Sequence, residues 1–119
     1  MTSLSSYKDC WLLDTSATSH MTFRKDYFEE LNETINGIVY FAYKSSLKSK
    51  GMSTIWLKMH GFPDFLLKNV LYLPELQRSF LSLVEIRLKM PGFLDFLLKN
   101  VLYLPELQRI LLSLLEIRQ

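Results

Sequence analysis

Apolar and polar positions along the chain predict mostly β structure. Residues 9–14 form a short apolar run that ends at a carboxylate, which indicates a buried strand. Residues 38–43, "IVYFAY", are β-branched and aromatic, and residues 55–59 alternate apolar with polar side chains, so both predict strands. A further apolar run at residues 65–73 follows the Gly and Pro of "HGFPD", a pattern typical of a turn and a return strand.

Helical spacing is confined to two places. Charged residues separate the apolar ones in residues 23–31, which predicts one or two helical turns. Pro74 stops the return strand and can open a helix, because proline is tolerated at the first helical position. Apolar residues then recur at helical spacing: Leu76, Phe80, Leu83, Val84 and Leu88. Pro91 disfavours helical backbone at the residue before it, so this helix should end there. Residues 15–22 are predicted to be a loop, and the basic "KSSLKSKG" at 44–51 a flexible turn.

The C-terminal half contains two nearly identical segments. Residues 57–87 and 88–118 are related by a shift of 31 positions. The aligned pairs that differ are His60/Pro91, Pro63/Leu94, Ser79/Ile110, Phe80/Leu111 and Val84/Leu115. Solenoid proteins usually need three or more units, and the residues before Leu57 do not match, so we interpret the pair as a tandem duplication of one segment.

The duplication predicts a domain at residues 1–88 and a surplus strand–helix segment at 89–119, a copy of 57–87. The second segment should repeat the order strand, proline, helix. The first has the shorter connection to the rest of the chain, so loop entropy favours it as the part that completes the domain. The second would then pack outside, exchange with a neighbouring molecule or aggregate. Because two nearly identical segments could complete the same domain, we expect folding to be frustrated.

Composition and charge narrow the functional classes. Hydrophobic residues make up 49% and charged residues 22%, which fits a globular chain, and the net charge of +2 gives no electrostatic case for nucleic acid or anionic lipid. Lys44, Lys48 and Lys50 could touch nucleic acid, but lysines in a flexible turn usually form a solvated tip. No apolar run reaches the roughly 20 residues that span a bilayer, so no membrane partner is expected.

The single cysteine, Cys10, cannot form an internal disulfide, and we expect it to be a small buried apolar residue. No Cys/His cluster has metal-ligand spacing, so neither a metal nor a cofactor is expected. This cysteine usage predicts a reducing, intracellular and cytoplasmic setting.

The stretch "WLLDTSATSHMT" at residues 11–22 resembles the protease start of copia-type LTR retrotransposon Gag-Pol polyproteins, in which an apolar strand runs into Asp-(Ser/Thr)-Gly-Ala. Three further segments, "FRKDYFEEL", "GMSTIWLKM" and "LKNVLYLPELQRSFLSL", are similar to that family and follow in its order. The resemblance covers about residues 11–86. It implies a mainly β or α+β fold, namely a small retropepsin-like closed β-barrel with a C-terminal helix.

The resemblance also implies that Asp14 is the catalytic residue of an aspartic endopeptidase, with Thr15 and Ser16 completing the motif loop. Such a protease places two carboxylates together, where they share a proton and activate a water against a polypeptide substrate. The chain carries one such motif, so activity would require a homodimer. Thr15 is implied to support the loop through its hydroxyl. From the residues alone, Asp14 could instead end a strand and cap a turn.

Three departures from the family pattern predict weak or absent activity. Ser16 stands where the family has glycine, and its side chain adds bulk to a loop that must approach its mate. Ser53 replaces a second glycine, and Ser79 replaces the usual asparagine. His20 matches a family histidine, but we interpret it as a polar surface or hydrogen-bonding residue without a catalytic role. The alternative is a non-catalytic, retrotransposon-derived β-barrel remnant that acts only in association.

Overall fold

The structure is a computed structural model that describes residues 11–41, 44–58 and 63–100. The strands are β1 (Trp11–Asp14), β2 (Met21–Thr22), β3 (Gly37–Tyr40), β4 (Ser46–Ser49), β5 (Met52–Leu57), β6 (Phe65–Tyr72) and β7 (Ser79–Ser82). The helices are α1 (Leu83–Lys89) and α2 (Pro91–Asn100), and a single 3-10 turn spans Lys25–Tyr27. The predicted mainly β, α+β class is confirmed.

The strands form two sheets. The larger has the order β1-β7-β2-β6-β5, and the smaller pairs β3 with β4. β1 is parallel to β7, β2 is parallel to β6 and antiparallel to β7, and β5 is antiparallel to β6. In the part of the chain that the structure describes, these sheets do not close, so the predicted closed barrel is not formed by them.

One hydrophobic core serves the larger sheet and both helices. Its fully or almost fully buried members are Leu13, Phe28, Ile55, Leu67, Val70, Leu81, Ile86, Phe93 and Leu97. They come from β1, β5, β6, β7, α1 and α2, together with Phe28 of the segment after the 3-10 turn. Burial of these side chains is the main stabilising term for the fold, at about 25 cal/mol for each Å² of apolar surface removed from water.

Four of the seven strands were predicted from the sequence, and three predicted segments differ from the structure. β1 and β6 lie within the predicted runs, β3 and β5 overlap theirs but begin earlier, and α1 ends just before Pro91 as expected. The predicted flexible turn at 44–51 contains β4, because Ser46–Ser49 pairs along its length with β3. The predicted helix after Pro74 begins only at Leu83, because Ser79–Ser82 is held as a strand against β1. The predicted loop at 15–22 ends in β2.

The same six residues, "DFLLKN", adopt two different structures. At positions 64–69 they lead into and form most of β6, whereas at 95–100 they form the second half of α2. The prediction that the second segment repeats the strand is therefore wrong for residues 96–100, the described part of the counterpart of 65–73. Asp95 lies in this helix and forms an ion pair with Lys99 at 3.0 Å.

The start of the second segment is part of the core. Phe93 and Leu97 are each 2% exposed, and the ring of Phe65 lies 4.4 Å from that of Phe93 and 5.0 Å from that of Phe96. The prediction that the second segment lies outside the domain is thus wrong for α2. Cys10, the turn at residues 59–62 and residues 101–119 lie outside the described residues, so the division of the chain at position 88 stays a prediction.

Candidate functional site

Asp14 is the last residue of β1 and is partly buried. In the parallel pairing of β1 with β7 it lies opposite Ser82, which is the last residue of its own strand and the N-cap of α1. Strands β1 and β7 therefore end side by side, at the same end of the sheet. The candidate site is the loop that follows Asp14, together with the start of α1.

The carboxylate of Asp14 is held by its own loop. Its Oδ1 accepts hydrogen bonds from the backbone N–H of Ser16 and from the Ser16 hydroxyl, each at 2.8 Å. This is the local side-chain-to-backbone turn that aspartate commonly forms two residues ahead. A carboxylate oxygen has two lone pairs, so the bonds from Ser16 engage both of those on Oδ1. Asp14 therefore caps this turn, and both hydrogen bonds come from Ser16, the residue that replaces the family's glycine.

The hydroxyl of Thr15 makes no hydrogen bond in the single chain, so its implied support of the loop stays a prediction. Its Oγ1 is buried, and it has no hydrogen-bond partner in the structure of the single chain. A buried hydroxyl without a partner costs about 1–3 kcal/mol. The motif loop therefore carries a desolvation cost at one of its three positions, Thr15.

His20 is a buried structural residue rather than a surface one. It is 2% exposed, and its Nδ1 accepts a hydrogen bond of 3.0 Å from the backbone N–H of Ser82. Burial lowers the pKa of His20, with smaller opposing contributions from Glu85, which raises it, and Lys89, which lowers it. The neutral ring that burial favours is the form that can accept at Nδ1. The hydrogen-bonding interpretation of His20 is confirmed, and the surface alternative is wrong.

Two hydroxyl groups in β7 complete a buried polar network that sequence reasoning missed. The Ser82 hydroxyl donates to the carbonyl of Ala17 at 2.6 Å and accepts from the backbone N–H of Glu85 at 3.1 Å. The hydroxyls of Thr22 and Ser79 lie 2.7 Å apart, and both residues are buried. A signal was present in "SHMT" and "SFLS", because small polar residues on buried strands are tolerated when their hydroxyls pair.

The two hydrogen bonds from Ser16 hold the Asp14 carboxylate within its own loop. Within the described ranges no hydrogen bond joins Asp14 to a second carboxyl group, and no cluster of His, Cys, Asp or Glu could hold a metal ion. The same residues include no helix long and apolar enough to cross a membrane. Among the residues that the structure describes, none supplies the second carboxylate of an acid–base dyad at Asp14.

A shallow cleft of about 540 Å³ lies away from Asp14, beside the small sheet. Its lining residues are Glu33, Asn36, Gly37, Ile38, Lys48, Ser49 and Lys50. Lys44, Lys48 and Lys50 are exposed, as a solvated tip requires, although Lys48 lies in β4 rather than in a turn. Lys48 and Lys50 thus line this cleft, which does not include the predicted catalytic loop.

Comparison with models of known protein families identifies a family for this chain. Residues 11–90 match the model of the family described as the Pol polyprotein, beta-barrel domain. No curated protein matches the chain, and no solved structure does. The matched span runs from the first residue of β1 to the residue between the two helices, and it includes Asp14, His20 and the buried hydroxyl network. The chain therefore belongs to the family of Pol polyprotein β-barrel domains.

Proposed function

We propose that the chain is a retropepsin-like domain of a copia-type Gag-Pol polyprotein, with Asp14 as the catalytic carboxylate and with activity kept weak or absent by Ser16. The family match supports a Pol-derived origin. The position of Asp14, at a strand end and in a short polar loop, suits an aspartic endopeptidase.

The observation that carries this proposal is the pair of hydrogen bonds from Ser16 to Asp14 Oδ1. An aspartic protease needs its carboxylate oxygens for a water and for a proton shared with a second carboxylate. The Ser16 hydroxyl occupies a lone pair that a glycine at this position would leave open. Ser16 also adds side-chain bulk to an exposed loop that would have to meet its mate.

The second carboxylate must come from another copy of the chain, so the active form is a homodimer. A symmetric dimer brings the same residue from each molecule to the two-fold axis. Asp14 is only partly buried and Ser16 is exposed, so the loop is accessible to such a partner. The substrate would be a polypeptide.

A non-catalytic remnant that acts only in association is the second candidate. It is favoured by the same Ser16 contacts, which stabilise the loop as a turn without help from a partner. In this case Asp14 caps the turn and performs no chemistry.

Peptidase assays of three proteins separate the two candidates. The unmodified chain, Ser16→Gly and Ser16→Gly combined with Asp14→Asn are each incubated with an unstructured peptide pool between pH 4 and 8. Ser16→Gly keeps the backbone N–H bond to Asp14 and removes the hydroxyl bond, so we expect it to gain activity, with an optimum at mildly acidic pH where the shared-proton form is populated.

Adding Asp14→Asn to the Ser16→Gly chain should abolish that gain, because an amide cannot act as the base. Strong cleavage by the unmodified chain would show that Ser16 is tolerated. Cleavage that survives in Asp14→Asn would remove Asp14 from the mechanism. Absence of cleavage by all three folded proteins would favour the remnant.

A further inference from the structure

The basic residues of the chain are unevenly distributed. Residues 34–63 contain four lysines, at positions 44, 48, 50 and 58, and no aspartate or glutamate. The chain has 14 basic residues in all, so ten lie elsewhere, together with all 12 acidic residues. The net charge of +2 therefore averages a basic segment with a weakly acidic remainder. Both strands of the small sheet, β3 and β4, belong to the basic segment.

One face of the small sheet is exposed, and it combines apolar with basic side chains. Successive side chains of a strand point to opposite faces, and directly opposed residues of two strands share a face. Ile38 is paired with Lys48, and Tyr40 is paired with Ser46, so these four residues form one face, here called the outer face. Ile38 is 54% exposed and Tyr40 is 76% exposed, and the other two are exposed as well. The residues between them along each strand are more buried, so the sheet presents its outer face to solvent.

The lysines next to this face are available to an anionic partner. Lys48 and Lys50 line the shallow cleft together with Ile38. Neither lysine side chain forms an ion pair or a hydrogen bond with another residue that the structure describes. The acidic residue of the cleft, Glu33, lies 3.1 Å from Lys25, which balances its charge. The cleft thus carries two cations without a counterion from the described part of the chain.

We propose that the outer face and the adjoining cleft bind single-stranded nucleic acid. Lys48 and Lys50 contact phosphate groups, and a base stacks on the ring of Tyr40. Diagonal neighbours across two strands, such as Tyr40 and Lys48, are about 7–8 Å apart, so one nucleotide can reach both side chains. Binding of this kind tolerates any sequence, because every base has a π-face and every nucleotide has a phosphate.

Other anionic partners match this surface less well. An acidic polypeptide would pair its carboxylates with the lysines, but it would leave the exposed ring of Tyr40 without a planar partner. A duplex keeps its bases stacked on one another, so it can offer its phosphates and not its base faces. The combination of an exposed aromatic ring with two lysines on one side of a sheet therefore favours unpaired bases.

Fluorescence anisotropy of a labelled short oligothymidylate, titrated with the full chain, tests the aromatic contact. We expect Tyr40→Val to weaken binding by about 5- to 150-fold, because it removes the stacking ring. Valine keeps a side chain that favours strands, so the small sheet should remain folded, and circular dichroism checks this. Tyr40→Phe keeps the ring and should bind with the parental affinity.

The same titration at salt concentrations between about 50 and 200 mM tests the phosphate contacts. Replacing Lys48 and Lys50 together by glutamine should reduce the slope of log K against log salt by about 1.4, since each phosphate contact to a single strand contributes about 0.7. Replacing Lys68 and Lys99 by glutamine removes the same charge from β6 and α2, and this matched control should keep the parental slope.

Absence of binding by the folded parental chain, at concentrations up to about 1 mM and at the lowest salt, would overturn the proposal. Equal affinities of Tyr40→Val and Tyr40→Phe would also overturn it, because the ring would then make no contact with a base. An equal loss of slope in the Lys68 and Lys99 control would assign binding to overall charge instead of this face. Displacement of the probe by oligoglutamate at lower concentrations than by unlabelled oligothymidylate would identify an acidic polypeptide as the occupant.

Discussion

The backbone N–H of Ser82 donates a 3.0 Å hydrogen bond to Nδ1 of His20, across 62 positions of the sequence. The Ser82 hydroxyl holds the carbonyl of Ala17 in the same region. Together these bonds fasten the loop after Asp14 to the junction of β7 and α1. The loop after Asp14 is therefore positioned by β7, the last strand along the chain, and by its own local hydrogen bonds.

Stability should fall as the pH drops below about 6.5, because burial lowers the pKa of His20 in the folded chain. A lowered folded-state pKa means that the unfolded chain binds the proton more readily. The contribution is fully present above pH 6.5 and is lost as the pH falls toward the folded pKa, with a slope of at most about 1.4 kcal/mol per pH unit.

Urea unfolding at pH 7.5, 6.5 and 5.5 measures this slope. His20→Asn retains an acceptor but does not titrate, so it should lose the part of the slope that comes from His20. His60→Asn, the matched change at the second histidine, should keep it. A slope that survives His20→Asn unchanged would assign the pH dependence to other groups.

Thr15→Val should raise the free energy of unfolding of the single chain by about 1 kcal/mol, because it removes a buried hydroxyl that has no partner. Thr15→Ser keeps a hydroxyl and serves as the control. Chemical denaturation at micromolar concentration, where the chain is monomeric by light scattering, gives the comparison. A destabilised valine variant would mean that the hydroxyl contributes to the monomer after all.

Gly51→Ala should destabilise the fold by about 1–3 kcal/mol. Gly51 has a φ of 158°, and an added Cβ would lie 2.8 Å from the side chain of Leu31. Its carbonyl also accepts from the backbone N–H of Tyr72 at 2.9 Å, so the backbone cannot move freely to relieve the contact. The midpoint of thermal unfolding is the measurement.

Gly37→Ala is the matched control for Gly51, because a Cβ at Gly37 meets nothing within 4 Å. It should change stability by less than about 0.5 kcal/mol, as surface substitutions usually do. Similar losses in the two variants would argue against a special requirement at Gly51.

Leu94→Pro should break α2 and cost about 3 kcal/mol or more, since it removes the bond to Met90 and carries Phe93 and Leu97 away from the core. Leu94→Ala removes the side chain and keeps the N–H, so its cost measures packing alone. Far-ultraviolet circular dichroism should show lower helix content in the proline variant only. Equal helix content in the two would contradict the assignment of α2.

The hydrophobic pattern of the sequence was enough to locate β1, β3, β5 and β6, because local β-branched and aromatic runs specify a strand wherever a sheet can accept it. It also placed Asp14 at a strand end. The same pattern gave helical spacing to residues 76–88, and here periodicity was misleading. Pairing with β1 holds Ser79–Ser82 extended, and this long-range contact is not visible in local spacing.

Only the tertiary structure determined the secondary structure of "DFLLKN". The same residues lead into and form most of β6 at 64–69, and they form the second half of α2 at 95–100. Their context differs at Pro63 and Leu94 and in the surfaces available for packing. It also decided that His20, Thr22, Ser79 and Ser82 are buried, because a polar side chain enters a core only where a partner from a distant segment meets it. Local propensity thus determined the outlines of the strands, whereas hydrogen bonds between residues about 60 positions apart determined how the candidate site is held.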